Sequence, residues 1–138
     1  MVQNVKEVPY GVSDFRTMVE QNIYYVDKTM YIPELEKQAR YIIFIRPRRF
    51  GKSVFLGMLH AYYDSHTKDK FEQWFGNLWI GKHPTPSQGR YQVLHLDFSM
   101  VGGNIDNLEE KFNFYLGVQL NGFVRYFDEY YSDMIKQN

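Results

Sequence analysis

Gly51-Lys52-Ser53 sits behind an apolar run, Tyr41-Ile42-Ile43-Phe44-Ile45, and ahead of a stretch with helical spacing. That order reads as strand, phosphate loop and helix. In such a loop successive main-chain N–H groups turn inward on nucleotide phosphates. The lysine ammonium reaches the outer phosphates, and the serine hydroxyl ligands Mg2+. A helix from about Ser53 to Tyr63 adds the positive end of its dipole to the same anion. The expected ligands are a nucleoside triphosphate and Mg2+, cradled by Arg48, Arg49, Phe50, Gly51, Lys52, Ser53 and Val54. Lys52 has the catalytic role of neutralising phosphate charge, and Ser53 positions the metal.

The loop departs from the general pattern G-x-x-x-x-G-K-[ST] at its start, where Arg46 stands in place of the first glycine. That glycine permits a tight turn just past the strand, so arginine demands another backbone path. Pro47 restricts Arg46 to extended conformations and offers no N–H of its own.

Tyr25-Val26-Asp27-Lys28-Thr29, the octapeptide Arg46 to Ser53, Ala61-Tyr62-Tyr63 with Phe71 beyond, and His95-Leu96-Asp97-Phe98-Ser99 follow one another in the order and spacing of a known family. The chain resembles the N-terminal part of the predicted AAA-ATPase-like proteins, P-loop proteins whose loop reads R-P-R-R-F-G-K-[ST]. The resemblance runs from about Pro9 to the helical stretch after Gly103. It implies ATPase activity for the complete family protein and a nuclease-like C-terminal domain in many relatives. It also implies a metal-holding acidic motif, D-E-Y-D, beyond the L-D-F-S segment. On that basis the chain is expected to stop before the family's acidic strand, as a truncated piece or a reduced gene product. Nucleotide binding would survive where hydrolysis does not, unless Asp97, a partner or a missing segment supplies the acidic group.

Asp97 ends an apolar strand, where P-loop proteins place the residue that holds Mg2+ through water, so it is a candidate metal and catalytic residue. The alternative is a structural role. Asp128-Glu129-Tyr130 imitates the later acidic motif, but the apolar spacing before it continues a helix. Arg46, Arg48 and Arg49 could line the phosphate pocket, act as charge-stabilising fingers on a neighbouring subunit, contact a nucleic-acid backbone, or form a solvated basic loop. Phe50 is expected as a packing anchor under the loop. Asp27, Lys28 and Thr29 read as an ordinary turn with Thr29 as N-cap, the alternative being a place near the base or phosphate edge. His60, His66, His83 and His95 form no metal-ligand spacing, and no zinc is expected.

At 138 residues the chain is one domain's worth, read as a single P-loop NTPase-like domain over 1–138 that is the N-terminal portion of a longer one. Hydrophobic residues make up 44%, charged residues 23% and aromatic residues 18% of the sequence. The first two are an ordinary globular balance, while the aromatic share is high and is expected mostly in the core. Sixteen acidic and sixteen basic residues cancel, so no global field draws the chain to nucleic acid or a membrane. The alternative function, a nucleic-acid-binding or scaffold module, therefore rests on the local cluster Arg46, Arg48 and Arg49. A third reading is a folded remnant that binds neither. The absence of cysteine excludes disulfides and thiolate catalysis. No apolar run approaches the ~18 residues of a membrane span and no signal core opens the chain, so a cytoplasmic protein is expected.

The elements that would position this site follow from periodicity. Ser13 caps a short helix through about Glu20, and Ile23 to Val26 is a brief β-like run. Met30 to Arg40 reads as a helix with Pro33 in its first turn. Phe55, Met58, Leu59 and Tyr62 form an apolar stripe on the helix after the loop. Phe71 to Phe75 reads as a short helix, Pro84 to Gly89 as a surface loop, and Tyr91 to Phe98 as a second strand. A long helix from about Ile105 to Tyr130 carries Leu108, Phe112, Tyr115, Leu116, Gln119, Phe123 and Phe127 on one face. Two strands joined by a helical crossover should be parallel and right-handed. The expected fold class is thus α/β, an incomplete P-loop NTPase-like parallel sheet flanked by helices, whose open edges make a homo-oligomer an open expectation.

Overall fold

The computed structural model describes residues 6–38, 40–128 and 132, and its contacts divide the chain into two units, 1–91 and 92–138. In the first unit, helix α1 (Phe15–Glu20) begins at Asp14, one residue beyond the predicted cap. Asp14 Oδ2 accepts from both the Thr17 N–H and the Thr17 hydroxyl at 2.8 Å. The first of these satisfies a donor that the opening helical turn leaves free. The chain leaves α1 through Asn22 at a positive φ of 53°, a conformation asparagine tolerates better than most residues. A 3-10 turn (Thr29–Tyr31) then leads into α2 (Ile32–Lys37), shorter than the predicted helix, with Pro33 in its first turn.

Helix α3 (Lys52–Tyr63) follows the loop as predicted and turns Phe55, Met58 and Tyr62 into the core, with Leu59 packed beside them. A 3-10 turn (Ser65–Lys70), α4 (Phe71–Phe75) and a four-residue helix α5 (Trp79–Lys82) come next. Phe15, Ile32, Trp74, Phe75 and Ile80 complete the core. Phe75 lies 5.1 Å from the Phe15 ring and 5.6 Å from that of Tyr62. Burying each such side chain contributes roughly 1.5–3 kcal/mol, so the core stands on contacts among α1, α3, α4 and α5.

Polar side chains tie these helices together. Asp27 Oδ1 accepts from the Thr29 N–H and hydroxyl at 2.8 and 2.7 Å, while Oδ2 accepts from the Trp79 N–H at 2.7 Å. Thr29 Oγ1, fully buried, accepts from the Ile80 N–H at 3.1 Å. The pair therefore caps α5 from outside. The Tyr62 hydroxyl accepts from the Thr85 N–H at 2.8 Å and pins the loop that follows. Asp64 is also fully buried, and its carboxylate is matched by the His66 N–H at 2.9 Å and by His60 Nε2 at 3.0 Å. A buried charge requires such partners.

In the second unit, a 3-10 turn (Ile105–Asn107) opens α6 (Leu108–Tyr126). The predicted apolar face is its more sheltered one at Tyr115, Leu116, Gln119 and Phe123, while Leu108 and Phe112 are exposed and Phe127 just past the helix is buried. Gln119 of α6 accepts from the Asp97 N–H and donates Nε2–H to the Asp97 carbonyl at 2.9 Å. One side-chain amide thus satisfies both polar groups of a residue, as a ladder neighbour would. Of the imitative acidic tripeptide, Glu129 and Tyr130 lie outside the described residues.

The expected α/β architecture is overturned: among the described residues there is no β-strand, only an isolated parallel bridge between Asp64 and Tyr91. Ile23–Val26, Tyr41–Ile45 and the rest of Tyr91–Phe98 run outside helix and ladder. A strand persists only when a neighbour pairs its N–H and C=O groups, and β-branched or aromatic composition supplies the propensity but not the neighbour. The 41–45 run does keep a two-residue alternation. Tyr41, Ile43 and Ile45 are 75–85% exposed, whereas Ile42 and Phe44 are 51% and 40% exposed, and the Phe44 ring lies 5.1 Å from Phe55 of α3. Nor do the aromatics gather mostly in the core. Tyr10, Tyr24, Tyr41, Phe50, Phe98 and Phe114 are among the many that face outward. No described helix is long and apolar enough to cross a membrane.

Thr29→Val keeps shape but leaves the Ile80 N–H buried without an acceptor, so unfolding in urea should show a loss of about 1–3 kcal/mol. An unchanged midpoint would mean that the cap on α5 is dispensable. Gly57→Ala on α3 should act oppositely. An added Cβ there meets Phe15 only at 3.8 Å, an ordinary contact. Removing a glycine from a helix interior should raise stability by about 0.5–1 kcal/mol in the same assay.

Candidate phosphate-binding site

Between Phe44 and α3 the chain turns sharply. Arg49 has φ 65°, Gly51 has φ 73° and ψ 24°, and Lys52 opens the right-handed helix. Left-handed residues placed just before a helix curl successive amides toward one side, the geometry of an anion-binding nest. Glycine takes this conformation freely, whereas for Arg49 it costs roughly 1–2 kcal/mol, a strain that the surrounding loop must hold. The Phe55 N–H makes the first helical bond, to the Gly51 carbonyl at 2.9 Å. The turn at 48–49 draws the Phe50 N–H toward the Pro47 carbonyl, while among the described residues the main-chain N–H groups from Gly51 to Val54 have no acceptor. These are the open donors that a helix start leaves.

Lys52 folds back over the loop. Its Nζ donates to the Arg46 carbonyl and, at 3.1 Å, to the Pro47 carbonyl, closing the turn on itself. Arg46, in the place of the usual glycine, donates Nη1–H to the Ile45 carbonyl at 3.0 Å and stacks its guanidinium 5.4 Å over the Phe44 ring. Its side chain thus lies back along the apolar run while its carbonyl receives the lysine. Arg48 and Arg49 are exposed. Ser53, in the first turn of α3, is exposed as well. Phe50 is 62% exposed, so it is no packing anchor.

Beside the loop lies a cavity of about 510 Å³, within the range of small-molecule sites. It is lined by Arg49, Phe50 and Gly51 of the loop, by Val54 and Phe55 of α3, by Tyr24, Tyr25, Val26 and Lys28, and by Val8, Pro9, Val12 and Met18. Two cations, Lys28 and Arg49, line it, and among the described residues no carboxylate does. Lys28 stands in the segment Asp27 to Thr29, for which the sequence favours an ordinary turn over a place near the base or phosphate edge and assigns Lys28 no site role. Tyr25, also in the lining, has a buried hydroxyl without a well-formed hydrogen bond. Burial, and secondarily the Asp27 charge, push its pKa up to about 12, with the Lys28 main-chain amide offsetting part of the rise.

Asp97 belongs to the second unit. Its Oδ1 accepts from the Ser99 N–H at 2.8 Å, and bonds from the Ser99 main chain and hydroxyl hold its carboxyl below the usual carboxylate range. Among the described residues no three histidine, aspartate or glutamate side chains gather as a metal site. Asp27 and Thr29 serve α5. Thr29 reads from sequence as the cap of the turn that follows it, and instead accepts from a residue 51 positions later.

Residues 9–137 match the family described as Predicted AAA-ATPase, and the chain belongs to that family. An uncharacterized protein in the vnfD 5' region of Azotobacter chroococcum mcd 1 is 44% identical over 55 residues, 39% of this chain and 11% of that protein. The alignment thus spans about a tenth of that relative's length. No solved structure matches the chain.

Tyr25 makes a pH prediction. The folded state raises its pKa from 10.0 to about 12. This contribution to stability is therefore whole below the unfolded value and is lost as pH climbs through the folded one. Tyr25→Phe should lose stability less steeply than the parent across that window, followed by chemical denaturation, and should match it within about 1 kcal/mol at neutral pH because no hydrogen bond is removed. Parallel curves through the window would contradict the assignment.

Proposed function

We propose that this chain is an Mg-dependent ATP-binding module. The observation that carries the reading is the set of unengaged amides from Gly51 to Val54, at the helix start beside a cavity whose described lining holds two cations and no carboxylate. Family membership supports it, since the family is described as an ATPase. Phosphates would sit on the loop amides at the N-terminal end of α3, where the helix dipole favours negative charge. Lys52 would exchange its present carbonyl acceptors for phosphate oxygens, adding attraction between opposite charges that a carbonyl does not offer. The exposed Phe50 ring, with Tyr24 and Val26, offers an apolar aromatic wall for the base.

The donor set suits Mg2+ in one respect. The Ser53 hydroxyl stands exposed on the first helical turn, and Mg2+ commonly takes few protein ligands beside phosphate oxygens and water. When bound, the ion would neutralise charge on the outer phosphates. Because no described carboxylate lines the cavity, the function proposed for this chain is binding and not hydrolysis. ATP is a cytoplasmic reagent, so the reading carries a cytoplasmic location with it. No observation favours the nucleic-acid alternative, in which the arginines would act together: Arg46 is turned back onto Phe44.

Titration of a fluorescent ATP analogue with Mg2+ should saturate. Lys52→Ala should weaken binding about tenfold or more, and removal of Mg2+ should weaken it as well. Equal binding by parent and variant would remove the reading.

A further inference from the structure

We propose that Lys28 is a second phosphate-binding cation of this site, an inference that rests on the ATP reading. Asp27 and Thr29 on either side of it are engaged with α5 through the Trp79 and Ile80 amides. The residue between them is thereby held in place, and its side chain reaches the phosphate loop. Lys28 Nζ lies 3.8 Å from where a Cβ on Gly51 would stand. It lines the cavity with Arg49 and is half-buried. Among the described residues it makes no side-chain hydrogen bond or ion pair. A half-buried ammonium in a cavity that Arg49 also lines, with no acid in the described lining, leaves positive charge there without a protein counter-charge. An anion on the loop amides would supply it.

Lys28 and Lys52 then differ in what binding asks of them. Lys52 must first leave the loop's own carbonyls, whereas Lys28 approaches from a separate segment with its ammonium open to a ligand. The segment 27–29 thus joins helix packing to ligand binding: one side of it caps α5, and the other presents charge to the loop.

The test measures binding of a fluorescent Mg-ATP analogue to the 138-residue chain, with competition by inorganic tripolyphosphate and by adenosine. Lys28→Gln should weaken ATP-analogue and tripolyphosphate binding about tenfold while leaving adenosine competition unchanged, and Lys28→Arg should restore most of the loss. Unchanged tripolyphosphate binding by Lys28→Gln, an equal loss of adenosine, or failure of arginine to rescue would each overturn the assignment. Lys52→Ala run alongside separates the two ideas. If it weakens binding and Lys28→Gln does not, only the Lys28 role falls; if the parent binds no nucleotide, both fall. Should Lys28→Gln not fold by circular dichroism, Lys28→Met is read in its place, and failure of both to fold would make Lys28 structural and overturn the proposal.

Discussion

A helix of four residues cannot bond its own first N–H groups, and in α5 those of Trp79 and Ile80 stand at the edge of a packed core. Their acceptors come from Asp27 and Thr29, 52 and 51 residues earlier. This long-range cap is the constraint from which much of the first unit follows. It holds the segment before the loop against the segment after α4, so that Ile32 and Ile80 share one core with Phe15 and Phe75. It also places Tyr25 and Lys28 along the wall of the cavity.

The loop meets a second constraint locally. Proline removes one donor, and beyond the short turn at 48–49 the residues have no ladder to join, so the amides at the start of α3 must face either water or a ligand. Positive φ at Arg49 and Gly51 collects these amides just ahead of α3. Lys52 holds the collection together by bonding the carbonyls of Arg46 and Pro47. With a net charge of zero, no long-range field contributes, and attraction for an anion comes from these few oriented groups and the nearby cations.

How much of this the sequence revealed depended on the range of the interactions involved. Helix α3 and its stripe of Phe55, Met58 and Tyr62 were legible because both the glycine before the helix and the period within it are local signals. Phe71–Phe75 was legible for the same reason. The two apolar runs read as paired strands, which they are not, because pairing is non-local. The alternation at Ile42 and Phe44 reports contact with α3, and no residue type announces a ladder partner. Helix α5 was invisible, being too short for a period and capped by residues far away in sequence. At the site, Gly51, Lys52 and Ser53 stand where the motif predicts, whereas the orientation of Phe50 and the reach of Lys28 depend on packing that no spacing rule encodes.

The central claim is that the main-chain N–H groups from Gly51 to Val54 are donors awaiting an anion, and amide chemical shifts of the isotopically labelled chain test it residue by residue. On addition of Mg-ATP, the signals of these residues, above all Gly51, Lys52 and Ser53, should move further than any others. Signals there that stay in place while shifts appear elsewhere, or nowhere, would contradict the account.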